Sequence, residues 1–384
     1  MNFSPNETQA LVQKTARDFA TRAILPKAAE IDKTAKISVE IIKGLGELGL
    51  LAVNVPSDLG GAEAGVVSYA LAMQEVSRAC ASTAVTMAVT NMVGEVISKF
   101  GTDEQKNHCC PKLASAEWTA GAFALSETGA GSDPGGMRTT AREDGDGYVI
   151  DGEKMWITSA AYAGVFVVWA RTGDPATHKG TRGISCFLVE AGTPGLKVGK
   201  GEDKMGLRGS NTSALHFENC RVPKGALLGE LNGGFKIAMM ALDGGRIGIS
   251  SQAIGIARAA LDESVQYAKD RMAFGKPIGD FQAIQWKLAD MKREIDAAHL
   301  LSMRAALLKE KGAPFSREAS MSKLFSSEMA NRVVNHGVQI HGGYGYIREF
   351  AAERHLRDAR VTTIYEGTSE VQRIVIARQV LGPA

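Results

Sequence analysis

Across residues 7–115 the apolar side chains recur at helical spacing, which predicts a set of packed helices. Residues 11–24 predict an amphipathic helix that ends near Pro26, because proline removes a backbone donor. Residues 41–51 predict a second helix. Residues 79–94 carry no charge and mix small apolar side chains with Ser and Thr, which indicates a helix buried on most sides.

From about residue 120 the pattern changes to short apolar runs, which Gly, Asp and Pro turns separate. The runs of strand length are 148–150, 165–170, 183–189, 196–198 and 214–217. They follow one another without intervening helices. This order predicts an antiparallel barrel or sandwich and argues against a parallel nucleotide-binding sheet.

The helical period returns after the glycine pair at 233–234 and continues to the end of the chain. The long helical segments, four as in a bundle, are predicted at 235–270, 278–311, 316–339 and 369–381. The fold class is therefore α+β. The predicted domains are an N-terminal helical domain (1–119), a middle β domain (120–230) and a C-terminal helical domain (231–384).

Composition narrows the class of protein. Forty-four Lys and Arg against 42 Asp and Glu give a formal net charge of +2, which offers no basic footprint for nucleic acid. The five cysteines form no C-x-x-C pair and indicate reduced thiols. No apolar run is long enough to span a bilayer, and the first residues do not resemble a targeting peptide. We therefore expect a protein without membrane insertion that is cytoplasmic, or located in the mitochondrial matrix if a transit peptide has been removed. No metal site is predicted.

Four segments carry glycine, hydroxyl or aromatic residues in patterns that suit a ligand. They are A-L-S-E-T-G-A-G-S-D at 124–133, M-W-I-T at 155–158, D-R-M-A-F-G-K-P at 270–277 and Q-I-H-G-G-Y-G-Y at 339–346. Glycine lets the backbone approach a ligand closely, and an Arg can bind phosphate in a bidentate way. Taken singly, each segment also fits an ordinary turn or the end of a strand or helix.

A fifth segment, I-Y-E-G-T-S-E-V-Q-R at 364–373, places a carboxylate just ahead of a helix. Ser369 and Gln372 are spaced as a capping box, which predicts the start of the last helix at this point. Glu366 then lies outside the helix, on a connection that Gly367 makes flexible. A lone Glu in such a place is usually a surface residue, so the wider pattern has to decide its role.

Together and in order, these segments closely resemble the acyl-CoA dehydrogenase family of flavoproteins. The resemblance runs from residue 56 to the last helix, and residues 204–210 and 242–248 are most similar to the short-chain (butyryl-CoA) type. Residues 56–61 lack the acidic residue and Tyr often found there. The resemblance implies an N-terminal α-helical domain, a middle antiparallel β-barrel and a C-terminal four-helix bundle, assembled as a homotetramer that holds FAD.

The resemblance also implies roles for individual residues. Thr158 would bond the flavin, and Arg271 would help to hold the pyrophosphate and adenosine half of FAD, across a subunit boundary. The implied cofactor-binding residues are Phe123, Leu125, Ser126, Gly131, Ser132, Trp156, Ile157, Thr158, Arg271, Phe274, Phe281, Gln282, Gln339, Ile340, Gly342, Gly343, Thr368 and Glu370. The implied substrate-binding residues are Ser132, Asp243, Arg246, Tyr365 and Gly367.

The implied reaction is α,β-dehydrogenation of a short-chain acyl-CoA, with Glu366 as the base that removes the α-proton. Burial should raise the pKa of Glu366 and the following helix N-terminus should lower it, with burial winning once substrate excludes water. Some relatives carry the base just before the Arg of the L-D-x-x-R segment; here that residue is Gly245, which cannot act as one. Room beside Gly245 admits branched or cyclic acyl groups as well as butyryl.

An electron-transferring flavoprotein is the expected electron acceptor on the resemblance alone. Two alternatives stay open. One is an acyl-CoA oxidase-like enzyme that reduces O₂, although such oxidases are usually much longer chains. The other is a non-catalytic acyl-CoA-binding protein of the same fold, against which the presence of Glu366, Thr158 and Arg271 argues.

Overall fold

A computed structural model describes residues 4–174, 176–178 and 180–382 of the chain. Its N-terminal part is helical, as predicted. The helices are α1 (Glu7–Phe19), α2 (Ala28–Thr34), α3 (Val39–Glu47), α4 (Val66–Ala79), α5 (Ala81–Phe100) and α6 (Asp103–Ala114). Capping boxes begin α1 and α6, where Asn6 and Thr102 each exchange hydrogen bonds with the Gln three residues later.

The predicted stop at Pro26 was wrong. The chain remains helical through a π-helical segment (Ala20–Ile24) and a 3₁₀ turn (Leu25–Lys27) and continues into α2. Pro26 lies in the first positions of that turn, where its missing N–H costs no hydrogen bond. Helix α5 is buried on most of its surface, as predicted, and its polar Asn91 is satisfied by the backbone of Leu50, Val53 and Met87.

The middle part forms an eight-stranded sheet. Its strands are β1 (Ala120–Ala124), β2 (Thr140–Asp144), β3 (Gly147–Thr158), β4 (Ala163–Arg171), β5 (Ile184–Glu190), β6 (Leu196–Gly201), β7 (Thr212–Pro223) and β8 (Leu227–Leu228). All five predicted runs lie in strands. Strands β1, β2 and β8 were not predicted, because they are short and carry few branched apolar residues.

The prediction of a closed antiparallel barrel needs correction. The strands follow the order β6-β7-β3-β2-β4-β5-β8, with β1 beside β4, and within the described residues no pairing joins β6 to β8. The sheet is also mixed, since β1 runs parallel to β4 and one residue pair, Thr140 with Arg171, joins β2 and β4 in parallel. Because only one residue pair joins β2 and β4, the sheet can bend between these two strands.

The C-terminal part contains α7 (Gly234–Asp270), α8 (Gln282–Glu310), α9 (Ser316–His341), α10 (Ala352–Arg360) and α11 (Ser369–Leu381). The four predicted segments are present, and α10 is an additional short helix. A two-stranded ribbon of β9 (Met272–Ala273) and β10 (Lys276–Pro277) precedes α8, which begins four residues later than predicted. A 3₁₀ turn occupies the difference.

One apolar core joins all three parts, with Val93 of α5, Trp169 of β4 and Ile254 of α7 in the same cluster. The Trp169 indole N–H donates to the Gly234 carbonyl at 2.7 Å, which fixes the start of α7 against the sheet. Among the helices of residues 4–174, 176–178 and 180–382, none is long and apolar enough to cross a membrane.

Candidate active site

Glu366 lies on a tight turn between the 3₁₀ segment Val361–Thr363 and α11. Its φ is +54° and that of Gly367 is +86°, so two successive residues adopt the left-handed conformation. A non-glycine residue rarely does so, and such residues concentrate at functional sites. In the described part of the chain ten non-glycine residues have positive φ, and three of them (Trp156, Phe274 and Glu366) belong to the predicted site.

The predicted capping box is wrong by one residue. Thr368 is the N-cap of α11, and its hydroxyl accepts a hydrogen bond from the Val371 N–H at 3.3 Å. The Ser369 hydroxyl is buried without a hydrogen-bond partner. Gln372 turns back instead, and its Nε2 donates to the carbonyls of Gly367 at 2.8 Å and Glu366 at 3.2 Å. The Gln372 side chain therefore holds the turn that carries Glu366.

The Glu366 carboxyl group is poised to exchange a proton. Its Oε2 atom is buried and has no hydrogen-bond partner in the described residues. Burial raises the pKa of Glu366 to about 7, although the charges of Arg246 and Lys323 lower it. Burial thus outweighs these charges already without substrate, and the expected rise in the substrate complex stays a prediction. The Glu366 N–H also meets no acceptor within the described chain, so it is free to donate to a ligand.

Glycines on α7 make room for this carboxyl group. A Cβ atom at Gly245 would lie 2.6 Å from Glu366 Oε2, far inside van der Waals contact. One turn later, a Cβ at Gly248 would lie 2.5 Å from the buried Tyr69 hydroxyl, whose pKa is raised by burial and by the charges of Glu95 and Glu366. A side chain at either position would fill the space beside the carboxyl group.

The predicted substrate residues Asp243 and Arg246 lie on the same stretch of α7. Arg246 Nη1 donates to Asp243 Oδ1 at 2.5 Å and to Ser320 Oγ at 3.1 Å, while its Nε is buried without a partner. Burial raises the pKa of Asp243, against the charge of Arg246. Tyr365 donates to the Gln252 side chain. Ser132 is exposed on a loop of the sheet domain, and no contact joins it to these residues.

The glycine-rich loop is anchored from beneath by a buried ion pair. Glu127 accepts from Lys154 Nζ at 2.8 Å and from the N–H groups of Arg138 at 2.6 Å and Thr139 at 3.0 Å. Lys154 also donates to the Leu125 carbonyl at 3.1 Å. These bonds fix the backbone of the loop. Its outer positions stay open, because a Cβ at either Gly129 or Gly131 would meet no atom within 4 Å.

The remaining predicted flavin residues frame this loop. Phe123 is the last residue but one of β1 and packs on Trp169, with 4.3 Å between ring centroids. Ser126 accepts through its carbonyl from the Met155 N–H at 2.9 Å. Near the end of β3 the pairing with β7 contains a bulge, and Trp156 within it has a positive φ. Side chains still alternate in exposure beyond the bulge: Trp156 is 59% exposed, Ile157 is buried and Thr158 is half-buried. An open flat surface results.

A cavity of about 430 Å³ lies at the junction of α7, α9 and the following turn. Four predicted cofactor residues line it: Arg271, Ile340, Gly342 and Gly343. The other predicted residues of this half do not line the cavity. Phe274 is 95% exposed, and the Phe281 ring packs edge-on against the Phe274 ring. Gln282 and Gln339 also lie outside the lining. Thr368 serves as the helix cap, and Glu370 is exposed.

Sequence reasoning missed several residues that shape the site: Lys154, Glu127, Lys323, Tyr69 and Gln252. Tyr69, Gln252 and Lys323 are polar residues within apolar or Ser-rich runs, which is a weak signal for a buried functional group. Lys154 and Glu127 lie in mixed polar stretches and give no such signal. Some of their hydrogen-bond partners lie far away in the chain: Lys154 bonds Glu127, 27 residues away, and Gln252 bonds Tyr365, 113 residues away. No local pattern could reveal those contacts.

The residues present fit FAD. Open glycine backbone at Gly129 and Gly131 and the exposed ring of Trp156 suit a flat polar ring system. The cavity beside Arg271 suits a phosphate-bearing half, with the guanidinium held over the Tyr344 ring at 5.4 Å. Both surfaces belong to one chain, and no contact in the structure joins them.

Comparison with known proteins agrees with this geometry. Family models of the acyl-CoA dehydrogenase N-terminal, middle and C-terminal domains match residues 6–117, 122–220 and 232–381. The mitochondrial short-chain specific acyl-CoA dehydrogenase of Bos taurus is 52% identical over 377 residues, or 98% of this chain and 90% of that protein.

Two solved structures match over all of both chains. Butyryl-CoA dehydrogenase from Megasphaera elsdenii aligns with a TM-score of 0.96 at 42% identity. The second is a chain in a structure of the electron transferring flavoprotein of Acidaminococcus fermentans, described in connection with flavin-based electron bifurcation. It aligns with a TM-score of 0.97 at 43% identity. The resemblance seen in the motifs is confirmed.

Proposed function

We propose that this chain, which belongs to the acyl-CoA dehydrogenase family, oxidises a short-chain acyl-CoA to the trans-2-enoyl-CoA. The family comprises FAD-dependent oxidoreductases that act on CH–CH groups. One observation carries the proposal: Glu366 has a buried, unpartnered oxygen and a pKa raised to about 7, on a strained turn that exposes its own N–H.

The first part of the mechanism is removal of the α-proton. A carboxylate with a pKa near 7 is a stronger base than a surface Glu, and about half of it is ionised at neutral pH. Glu366 takes the α-proton, and the negative charge that develops on the thioester oxygen is stabilised by the free Glu366 N–H. Arg246 and Lys323 supply positive charge around the site.

The second part is loss of hydride from the β-carbon. When bound, FAD supplies the hydride acceptor for this step. Phe123, Leu125, Ser126, Gly131, Ser132 and residues 156–158 would hold the flavin ring. Arg271, Phe274, Phe281, Gln282 and residues 339–343, with Thr368 and Glu370, would hold the remainder, in part from a neighbouring subunit of a homotetramer. The Glu127–Lys154 pair keeps the flavin loop in place.

The acyl group is proposed to be short. Glycine at 244, 245 and 248 clears space on α7, but Glu366, Tyr69 and the Lys309–Glu95 ion pair already lie against these positions. The residual space suits butyryl or a compact branched or cyclic acyl group. The two short-chain relatives support this size class. An electron-transferring flavoprotein is the proposed acceptor, since a chain of this fold occurs in the structure named for that protein.

The test is anaerobic bleaching of the flavin absorbance of the FAD-loaded protein with butyryl-CoA, beside Glu366→Gln. The wild type should bleach, and the nearly isosteric variant should bleach about 10³-fold more slowly while retaining FAD. Equal bleaching would refute Glu366 as the base. An FAD-loaded wild type that no short acyl-CoA bleaches would contradict the function and favour a non-catalytic protein. Rapid reoxidation by O₂ alone would favour the oxidase alternative.

A further inference from the structure

Lys323 is a buried lysine without a carboxylate partner. It lies on α9 and is fully buried, and within the described chain no carboxylate oxygen comes within 4 Å of its Nζ. Its one hydrogen bond goes to the Gly367 carbonyl, at 2.7 Å. Burial of an ammonium group is costly, so a lysine kept in this place needs a reason beyond packing.

The Gly367 carbonyl is held from two sides. Lys323 approaches it from α9, and Gln372 Nε2 approaches it from α11 at 2.8 Å. Two donors use both lone pairs of the oxygen and fix the direction of this peptide group. Glu366 directly precedes Gly367 and both residues have positive φ, so we expect loss of this hold to let the turn, and with it the Glu366 carboxyl group and N–H, move more freely.

Two cations lower the pKa of Glu366, Arg246 with the larger effect and Lys323 with the smaller. Within the described chain, Lys323 is the one of the two that no carboxylate binds. Arg246 of α7 already binds Asp243 and Ser320, whereas the ammonium of Lys323 binds only a neutral carbonyl. Tyr69 of α4 and the neighbouring Tyr365 face Glu366 as neutral phenols, because burial raises both pKa values. Lys323 itself faces Glu366, Arg246, Glu370 and Glu328, and burial lowers its pKa to about 8.

We propose that Lys323 is a positioning residue for Glu366: its ammonium group fixes the turn through the Gly367 carbonyl, and its charge favours the ionised carboxylate. This deepens the proposed function and rests on it. Removal of the charge should make Glu366 harder to ionise. Removal of the donor should loosen the turn.

Two FAD-loaded variants separate these effects. Lys323→Gln keeps a shorter donor but no charge, and Lys323→Arg keeps the charge but displaces the donors. The first measurement is hydrogen exchange of the peptide covering residues 361–372, which needs no substrate. The second is the limiting rate of flavin bleaching by butyryl-CoA, measured as a function of pH. The same titrations give the butyryl-CoA concentration at which the rate is half of its limit.

In Lys323→Gln, exchange in the turn should be about 10-fold faster. The midpoint of the acid limb should move up by about 1 pH unit, and the limiting rate at pH 7 should fall about 10-fold. The half-saturating butyryl-CoA concentration should change less than about 2-fold, since Lys323 is placed to act through Glu366. Lys323→Arg should show the faster exchange with a midpoint within about 0.3 unit of wild type.

Unchanged exchange together with an unchanged midpoint in Lys323→Gln would overturn the proposal. If Lys323→Gln does not fold, Lys323→Arg decides. Hydrogen exchange in the turn of Lys323→Arg as slow as in the wild type would then overturn the proposal that Lys323 clamps the Gly367 carbonyl. If butyryl-CoA fails to bleach the wild type, the proposed function fails, but the exchange measurement still decides whether Lys323 holds the turn.

Discussion

Two glutamates with buried carboxyl oxygens, one in the sheet domain and one in the helical bundle, differ in how their charges are met. Glu127 accepts three hydrogen bonds, including one from Lys154 Nζ, and although burial raises its pKa, Lys154 and the backbone donors bring it below the ordinary value. Glu366 has a buried oxygen with no donor, and burial raises its pKa to about 7. The lysine near Glu366, Lys323, donates to the Gly367 carbonyl and not to the carboxylate.

The comparison shows how one residue type serves two purposes. A buried carboxylate that accepts three hydrogen bonds is held as an anion and organises the loop above it. A buried carboxylate left without donors exchanges protons near neutral pH. Both lysines have a pKa lowered to about 8 by burial, so the lysines alone do not make the difference. The hydrogen bonds do.

The largest expected effect is a difference in stability between two Glu→Gln variants, one at Glu127 and one at Glu366. Glu127→Gln leaves Lys154 buried without a counter-charge and should lower the free energy of unfolding by about 3–5 kcal/mol. Glu366→Gln removes no hydrogen bond and should not destabilise the protein. Denaturant unfolding of both variants with excess FAD measures the contrast. Equal losses would break the distinction between the two carboxylates.

The same experiment has a pH dependence with a definite sign. The folded pKa of Glu366 lies above that of the unfolded chain, so folding binds a proton between pH 4.5 and about 7. Ionised Glu366 therefore destabilises the wild type above that window. Glu366→Gln should be more stable than wild type at pH 8 by up to about 3 kcal/mol and no more stable below pH 4.5.

A smaller effect is expected from crowding the Glu366 carboxyl group. Gly245→Ala would place a Cβ 2.6 Å from Oε2, which must move the carboxylate. The bleaching rate with butyryl-CoA should fall about 10-fold or more. Gly337→Ala on α9 is the matched control, because its nearest contact would be an ordinary 3.4 Å. A normal rate in Gly245→Ala would show that the carboxylate needs no such space.

The smallest effect concerns the cap of α11. Thr368→Ala removes the hydroxyl that accepts from Val371 and should cost about 1 kcal/mol of stability. Ser369→Ala removes a buried hydroxyl without a partner and should cost nothing. Thermal unfolding of the pair is the measurement. A loss at Ser369 alone would restore the capping box predicted from the sequence.

Much of the fold was predictable because apolar spacing reports the helices and strands directly. The buried α5 and the five main strands followed from residues 79–94 and 148–217. The open form of the sheet did not follow, because it depends on whether the end strands of the sheet order pair, and within the described residues β6 and β8 do not. The course past Pro26 was missed because proline is tolerated in the first turn of a helical segment.

The site was predictable only in part. Glu366 and its place before a helix were found from one segment and its neighbours. The identity of the cap was not, because Thr368 and Ser369 are equally good candidates and only backbone geometry separates them. The clamp by Lys323 joins residues 44 apart and has no local signature. Of the expected FAD residues, Arg271, Ile340, Gly342 and Gly343 are brought together, and the roles of all remain proposals.

The central claim is that Glu366 titrates near neutrality because it is buried without donors. Carboxyl absorption in infrared difference spectra of wild type against Glu366→Gln, recorded from pH 4 to 9 on the FAD-loaded protein, measures this group alone. The account predicts a protonated carboxyl signal that disappears with a midpoint of about 7. A midpoint near the ordinary value of 4.5 would contradict it.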